Sequence, residues 1–246
     1  MITIPALGQR GPHARTAAPR RGRLVPPWAI ISADLTPILL TGGWLVAGAL
    51  QPASYNPIQE TVSVMAGHAG TDRWVMTGVL LLVGGCHLVT AAGLGGIRVP
   101  ARILLILAGL SSIGIATSPE PIAGSTPQHL AWTSFGAVII TVWPAFAARP
   151  GSAQPLILSR RGSAVVTAVF LALLCWLVTE TQGGSDLGMA ERLTSSVQTS
   201  WPFVVAVVLW RHAARTRRPE LPGEPSEASH AQAMTTGALR GQRDSA

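Results

Sequence analysis

The chain has 246 residues, of which 48% are hydrophobic and only 12% are charged. Soluble domains usually carry about 25% charged residues, so this composition excludes a soluble enzyme and equally a disordered chain or a coiled coil. All eighteen basic residues are arginines, against eleven acidic residues. These arginines lie in tails and short connections and not across a folded surface, so we expect no nucleic acid partner.

Six apolar stretches are long enough to cross a bilayer, which takes about 20 residues of helix. Only helices fit, because lipid cannot satisfy the hydrogen bonds of an irregular backbone. The sequence therefore predicts an all-α fold, a polytopic membrane helix bundle over residues 28–212. Segments 1–27 and 213–246 are rich in Pro, Gly, Ser and charge, and we expect disordered tails there. The predicted spans are 29–50, 74–97, 101–118, 129–147, 163–182 and 193–212.

The arginines predict the orientation of this bundle, since basic residues accumulate on the cytoplasmic side. Sixteen lie in the tails and in the second and fourth connections, whereas the other three connections hold only Arg73 and Arg192. We therefore expect a multi-pass protein of the cell membrane with both termini in the cytoplasm. Arg20 and Arg21 precede the first span as in an export signal, but that span is too long for a signal core and contains Asp34, so we expect it to be retained.

The first outer connection is predicted to contain a short interfacial helix. Asn56 is a suitable N-cap, Pro57 suits the first helical position, and Gly67 supplies a stop. Glu60 and Ser63 then lie one turn apart on this helix. A simple connection between two spans needs none of these features, so we expect the helix to cover something.

Several motifs resemble the bacterial multi-span membrane family catalogued as domain of unknown function 998. The resemblance covers about residues 28–212 and implies a six-span fold, but it supplies no activity. The motifs that carry it are Tyr55-Asn56-Pro57, Glu60-Thr61-Val62-Ser63, Thr71-Asp72-Arg73-Trp74-Val75-Met76, His87, Pro119-Glu120-Pro121, Gln128-His129 and Trp201-Pro202.

Three outer acids are candidate catalytic residues, namely Glu60, Glu180 and Glu191. Glu60 ranks first because a capped helix holds its side chain in one orientation, within reach of Ser63. Glu180 lies at the membrane interface, where simple solvation explains it equally well. No span carries a paired histidine motif, so we predict no metal site. No phosphate-binding glycine loop, haem motif or dinucleotide motif occurs either, so we predict no cofactor.

The aromatic residues supply a second group of candidates. Trp28, Trp74, Trp143 and Trp210 fall at span ends, where an interfacial belt accounts for them. The other four tryptophans lie deeper in the outer half of the spans, and they either pack the bundle or line an apolar cavity. With Tyr55, Ser63 and His129, they form the predicted substrate-binding set: Trp44, Trp132, Trp176 and Trp201.

Polar residues at membrane depth remain open to two interpretations. Asp34 either reaches the cytoplasmic interface or has a functional role. His87 is either a packed, hydrogen-bonded histidine or a ligand, and His129 either caps a helix or belongs to a site.

The ingredients are similar to those of small integral-membrane terpene cyclases, although no catalytic residue can be carried over from them. An acid beside a dry pocket stays protonated and can protonate an alkene or epoxide, and indole faces stabilise the resulting cation. We therefore predict an enzyme of the isomerase or lyase type that cyclises a prenylated, lipid-like substrate, working with other biosynthetic enzymes. The alternative is a non-catalytic membrane sensor or accessory protein, or a small transporter.

Overall fold

The computed structural model describes residues 25–149 and 155–215, and these form helices and connections without any β-strand. The predicted all-α fold is therefore confirmed for the described residues, whereas the predicted tails fall almost wholly outside them. The α-helices, numbered in chain order, are α1 Pro27–Ala49, α2 Val62–Ala66, α3 Trp74–Gly93, α4 Val99–Thr117, α5 Pro127–Ala147, α6 Arg160–Glu180 and α7 Leu187–Arg215.

The six long helices form a ring. Each packs against the next one along the chain, with α3 following α1, and α7 packs back against α1. One end of the ring, here called the terminal end, carries the start of α1 and the end of α7. The opposite end, here called the α2 end, carries α2 and the start of α7. Within residues 25–149 and 155–215 these six helices are long and apolar enough to cross a membrane, so the six predicted spans are confirmed there.

The span boundaries agree with the prediction to within a few residues, except at the start of the last span. Helix α7 begins at Leu187 and not at 193. Polar residues in its first turns hide this extension from a search for apolar runs, although most of them are good helix formers. The extension matters because it places Glu191 and Arg192 on the helix.

Two hydrophobic clusters fill the interior of the ring. The cluster at the terminal end includes Leu94, Leu105, Trp143 and Leu209. The cluster at the α2 end includes Leu40, Met65, Met76 and Leu80. Buried polar side chains, His87 and Gln198 among them, lie between these clusters.

Trp143 corrects one assignment to the interfacial belt. Its side chain is wholly buried, and its indole N–H donates a 2.8 Å hydrogen bond to the carbonyl oxygen of Ala101. Neighbouring helices cover this end of α5. A position near the end of a span therefore did not place the indole of Trp143 at the membrane interface. Trp28, Trp74 and Trp210 are exposed, as a belt requires.

The first connection, residues 50–73, contains the predicted short helix, but the helix starts later than Pro57. Asn56 instead opens one separate turn, in which its Oδ1 accepts from the amide of Ile58 and its carbonyl accepts from the amide of Glu60. Helix α2 follows at Val62 and ends at Ala66, with Gly67 as the stop that the sequence predicts. The side chains of Val62 and Met65 are buried under the ring, so α2 covers the interior of the bundle at this end.

Candidate functional site

A cavity of about 190 Å³ lies inside the ring, in the half nearer the α2 end. Residues from all six long helices and from α2 line it. The wall is mostly aliphatic and hydroxyl-bearing, with one imidazole (His87), one amide (Gln198) and one carboxyl group (Glu191). An engineered cavity of about 150 Å³ takes up benzene, so this space accepts a molecule of roughly that size or a little larger.

Glu191 is the predicted catalytic acid that lies at this cavity. Its Oε2 accepts a 2.6 Å hydrogen bond from the amide of Val62, the first residue of α2. The first amides of any α-helix have no partner within the helix, and this carboxylate from α7 accepts from one of those of α2. The carboxyl group of Glu191 thus joins the covering helix to the wall of the cavity.

Arg192, the next residue, fastens the first connection to α7. Its Nη1 donates hydrogen bonds to the backbone carbonyl oxygens of Pro57 at 2.6 Å, Glu60 at 2.8 Å and Gly188 at 2.9 Å. Its Nη2 donates to the hydroxyl oxygen of Tyr55. The side chain of Arg192 is only 5% exposed. We call this set of contacts the Arg192 clasp.

The clasp explains where Tyr55 and Glu60 lie. Burial raises the pKa of the Tyr55 phenol above its ordinary value of 10.0, and the nearby guanidinium of Arg192 acts against that rise. Glu60 uses its carboxylate to accept from the amide of Asn56 at 2.9 Å, which closes the turn at residues 56–60. Glu60 therefore supports the connection and is absent from the cavity wall formed by the described residues.

Glu180 is likewise engaged away from the cavity. It accepts from the indole N–H of Trp176 at 3.2 Å and from the amide of Asp186 at 3.0 Å, which ties the end of α6 to the turn before α7. His129 lies at the start of α5, where its Nδ1 is 2.7 Å from the carbonyl oxygen of Ser118. Its Nε2 is 3.6 Å from a carboxylate oxygen of Glu120.

The four deeper tryptophans do not contribute to the wall of this cavity as the described residues form it. Trp44 packs in the cluster at the α2 end, with the guanidinium carbon of Arg192 5.5 Å from its ring centroid. Trp132 lies against Gly114, where a Cβ would overlap its indole. Trp201 meets Phe170 edge to face at a centroid distance of 6.3 Å. Of the whole predicted site, Ser63 and Glu191 are the residues that line the cavity together.

Sequence reasoning gave no site role to Arg192 or Gln198, and it left His87 undecided. Arg192 did carry a signal, because an arginine on the predicted outer side is an exception to the positive-inside rule. Gln198 carried none, since one amide in an apolar run reveals no direction. Metal chemistry has no obvious centre, because no three His, Cys, Asp or Glu side chains are grouped within residues 25–149 and 155–215.

Comparison with known proteins supplies a family. No curated protein and no solved structure matches the chain. The family model described as "Protein of unknown function (DUF998)" matches residues 35–208, which include the cavity, the clasp and nearly all of the six spans. The chain therefore belongs to the DUF998 family.

Proposed function

We propose that this protein takes up a small, mostly apolar molecule from the bilayer and holds it in the cavity between its six spans. The observation that carries this proposal is the cavity itself, lined by all six helices and by polar side chains buried at membrane depth. Ionisable groups inside a membrane are costly, and their retention favours a functional role over a packing role. Concave, largely apolar sites with a few polar groups are the usual form of ligand sites.

Among the described helices, α6 forms the side of the ring that favours uptake from the bilayer. Phe170 is the last buried side chain of this helix, and every residue from Leu171 to Glu180 is partly or fully exposed. Leu177, in this loosely packed half, lines the cavity. We therefore expect a molecule dissolved in lipid to enter past this half of α6.

Photolabelling tests this proposal with a trifluoromethyl-phenyl diazirine, an apolar reagent somewhat larger than benzene that carries no hydrogen-bond donor. In wild-type protein in lipid nanodiscs, we expect label on cavity peptides of α5 and α7. Ala137→Phe fills the cavity wall and should remove that label. Ala131→Phe, on an exposed position of the same helix, is the matched control and should retain it. Equal labelling of cavity peptides in Ala137→Phe and wild type would contradict the proposal.

Acid-initiated cyclisation of a prenylated substrate is a second candidate function, and the position of Glu191 at the cavity favours it. The lining weighs against it in two ways. Its described residues include no Phe, Tyr or Trp ring to stabilise a cation, and it carries seven Ser and Thr side chains whose oxygens can trap one. The volume also admits only one end of a prenyl chain.

A direct assay separates this candidate from simple binding. Glu191→Gln can still accept from the amide of Val62, so the fold should survive while the transferable proton is lost. We expect membranes that consume a prenylated precursor to lose about 100-fold or more of that activity with Glu191→Gln. Glu60→Gln and Glu180→Gln, whose carboxylates bond elsewhere, should keep it. If wild-type membranes consume no such precursor, cyclisation is wrong and binding alone remains.

We also propose that the terminal end of the ring faces the cytoplasm, because the arginines concentrate there. Reporter fusions at positions 25, 155 and 225 should then read inside, and a fusion at 123 should read outside. An outside signal at 225 would contradict this orientation.

A further inference from the structure

The hydrogen bonds of the cavity wall reveal which kind of polar group the wall lacks. His87 is 3% exposed, and its Nδ1 is 3.0 Å from the carbonyl oxygen of Val83 on its own helix. A carbonyl oxygen can only accept, so Nδ1 carries the hydrogen and Nε2 of the neutral ring is an acceptor. That Nε2 is buried and has no hydrogen-bond partner among the described residues, and His87 lines the cavity.

Gln198 offers a second acceptor on this wall. It is 2% exposed, and its Nε2 donates to the hydroxyl oxygen of Thr141 at 2.9 Å and to the carbonyl oxygen of Phe170 at 3.5 Å. The carbonyl of Phe170 fixes the orientation of the amide, because only the NH₂ group can donate to it. The amide Oε1 therefore faces the remaining direction as an acceptor, with no donor to it among the described residues.

The hydroxyl groups of the wall offer few donors, because most of them already use their hydrogen. Six of the seven donate to backbone carbonyl oxygens, namely Ser111, Ser112, Thr133, Thr194, Ser195 and Thr199. What these groups still present is oxygen lone pairs. The wall is thus rich in acceptors and poor in donors.

We infer that the occupant of the cavity is a compact apolar molecule that carries a hydrogen-bond donor, either a hydroxyl or an ammonium group, and donates it to His87 Nε2. The Oε1 of Gln198 and the carboxyl group of Glu191 are further acceptors on the same wall. This inference rests on the proposed binding function and narrows it to a ligand class. A donor ligand satisfies a buried acceptor that is otherwise unpaired, and an ether or ketone of the same shape does not.

Four probes on one ring test this preference: cyclohexanol, cyclohexylamine, cyclohexanone and methoxycyclohexane. The readouts are the thermal unfolding of wild-type protein in nanodiscs and competition with the apolar diazirine label. We expect the alcohol or the amine to act at about tenfold lower concentration than the ketone and the ether. An advantage of the amine that disappears in Glu191→Gln assigns the donor to a cation, and an advantage of the alcohol that survives there assigns it to a hydroxyl group.

His87→Leu is the decisive variant, because it removes the acceptor and keeps an apolar wall. We expect it to bind the diazirine still and to lose the preference for donors, while effects of the probes on the bilayer itself stay the same. Gln198→Met is the second variant should His87→Leu fold poorly, and it should weaken the same preference. Equal action of all four probes on wild type would overturn the inference, and the diazirine label would then show whether the binding function stands without it.

Discussion

At the terminal end of the ring the interior is solid, with Trp143 and a set of alanines packed among the helices. At the α2 end the same helices leave a cavity, and a loop fastened by one arginine covers it. Packing holds the first region together, and directional hydrogen bonds hold the second. The comparison teaches that the helix ring itself needs no cavity, because the same six helices close tightly at the other end.

The segment that covers the cavity at the α2 end is held less firmly than a packed helix. It is a five-residue helix whose first amide relies on Glu191 and whose preceding turn relies on Arg192. Segments held by a few hydrogen bonds open at lower free energy than packed helices do. We therefore expect the α2 end to open at a lower free energy than the terminal end, which suits a site that exchanges molecules.

The largest loss of stability should come from a cavity made in the packed interior of the terminal end. Trp143→Ala removes a wholly buried indole and leaves the carbonyl of Ala101 without its donor, so we expect a loss of about 3–5 kcal/mol in the free energy of unfolding. Reversible unfolding in mixed micelles measures this loss. Trp210→Ala, at the same end but exposed, is the control and should change stability little. Similar losses in both variants would deny that this end is the packed core.

Releasing the clasp should cost less and act locally. Arg192→Met keeps much of the side-chain volume but removes the donor to three carbonyl oxygens and to Tyr55, so we expect a loss of about 2–3 kcal/mol. Hydrogen exchange should rise in residues 55–66 and stay unchanged in the Trp143 region. Arg73→Met, in the same connection, is the control, because Arg73 stacks on Trp74 and holds no carbonyl among the described residues. Uniform exchange throughout the protein would mean that the clasp is not a local device.

A smaller change tests how closely α7 approaches the first connection. A Cβ at Gly188 would overlap the carbonyl oxygen of Glu60 and crowd that of Pro57, so Gly188→Ala should destabilise by about 1–2 kcal/mol. The same substitution at Gly42, where a Cβ meets nothing within 4 Å, should be neutral or slightly stabilising, because alanine favours the helix. The difference between the unfolding midpoints of Gly188→Ala and Gly42→Ala measures the cost of the steric overlap at Gly188, and equal midpoints would contradict that overlap.

The sequence predicts the helix ring well and the site poorly, for a physical reason. Apolar length fixes a membrane span, so all six spans follow from the residues alone. Contacts between distant segments fix the site, such as Arg192 with Pro57 and Glu191 with Val62, and no local pattern encodes these pairs. Glu60 illustrates the difference, since the local pattern placed it on a helix capped by Asn56, whereas it lies in the turn before α2 with its carboxylate on the amide of Asn56.

The tryptophans also show that the sequence does not indicate which residues line the cavity. Their residue type and depth fitted both bundle packing and a cavity lined with indoles, and in the structure Trp132 and Trp201 pack against Gly114 and Phe170. In an all-apolar helix every face has the same polarity, so hydropathy carries no information on which face points inward. The small and hydroxyl-bearing residues that do line the cavity gave no sequence signal for the same reason.

The smallest expected effect concerns the phenol at the edge of the clasp. Tyr55→Phe removes one acceptor of Arg192, which should cost about 0.5–1.5 kcal/mol below pH 9. Since the pKa of Tyr55 is raised in the folded protein, the folded state keeps a proton that the unfolded chain releases once the pH exceeds about 10. The stability due to this pKa difference is therefore complete below pH 10 and is lost as the pH rises through the folded value.

Absorbance of tyrosinate can follow this titration, because Tyr55 is the only tyrosine in the sequence and the eight tryptophans do not titrate. The chain has no lysine, so no lysine contributes to the change in unfolding free energy near pH 10. We expect the folded protein to titrate above 10.0, and Arg192→Met to titrate higher still, because the guanidinium that opposes the rise is gone. The unfolding free energy of wild type should fall above about pH 10 relative to that of Tyr55→Phe. A lower tyrosine pKa in Arg192→Met than in wild type would show that water reaches the phenol once the guanidinium is removed. In that case the side chain of Arg192 would exclude water from the α2 end, as packing excludes it around Trp143.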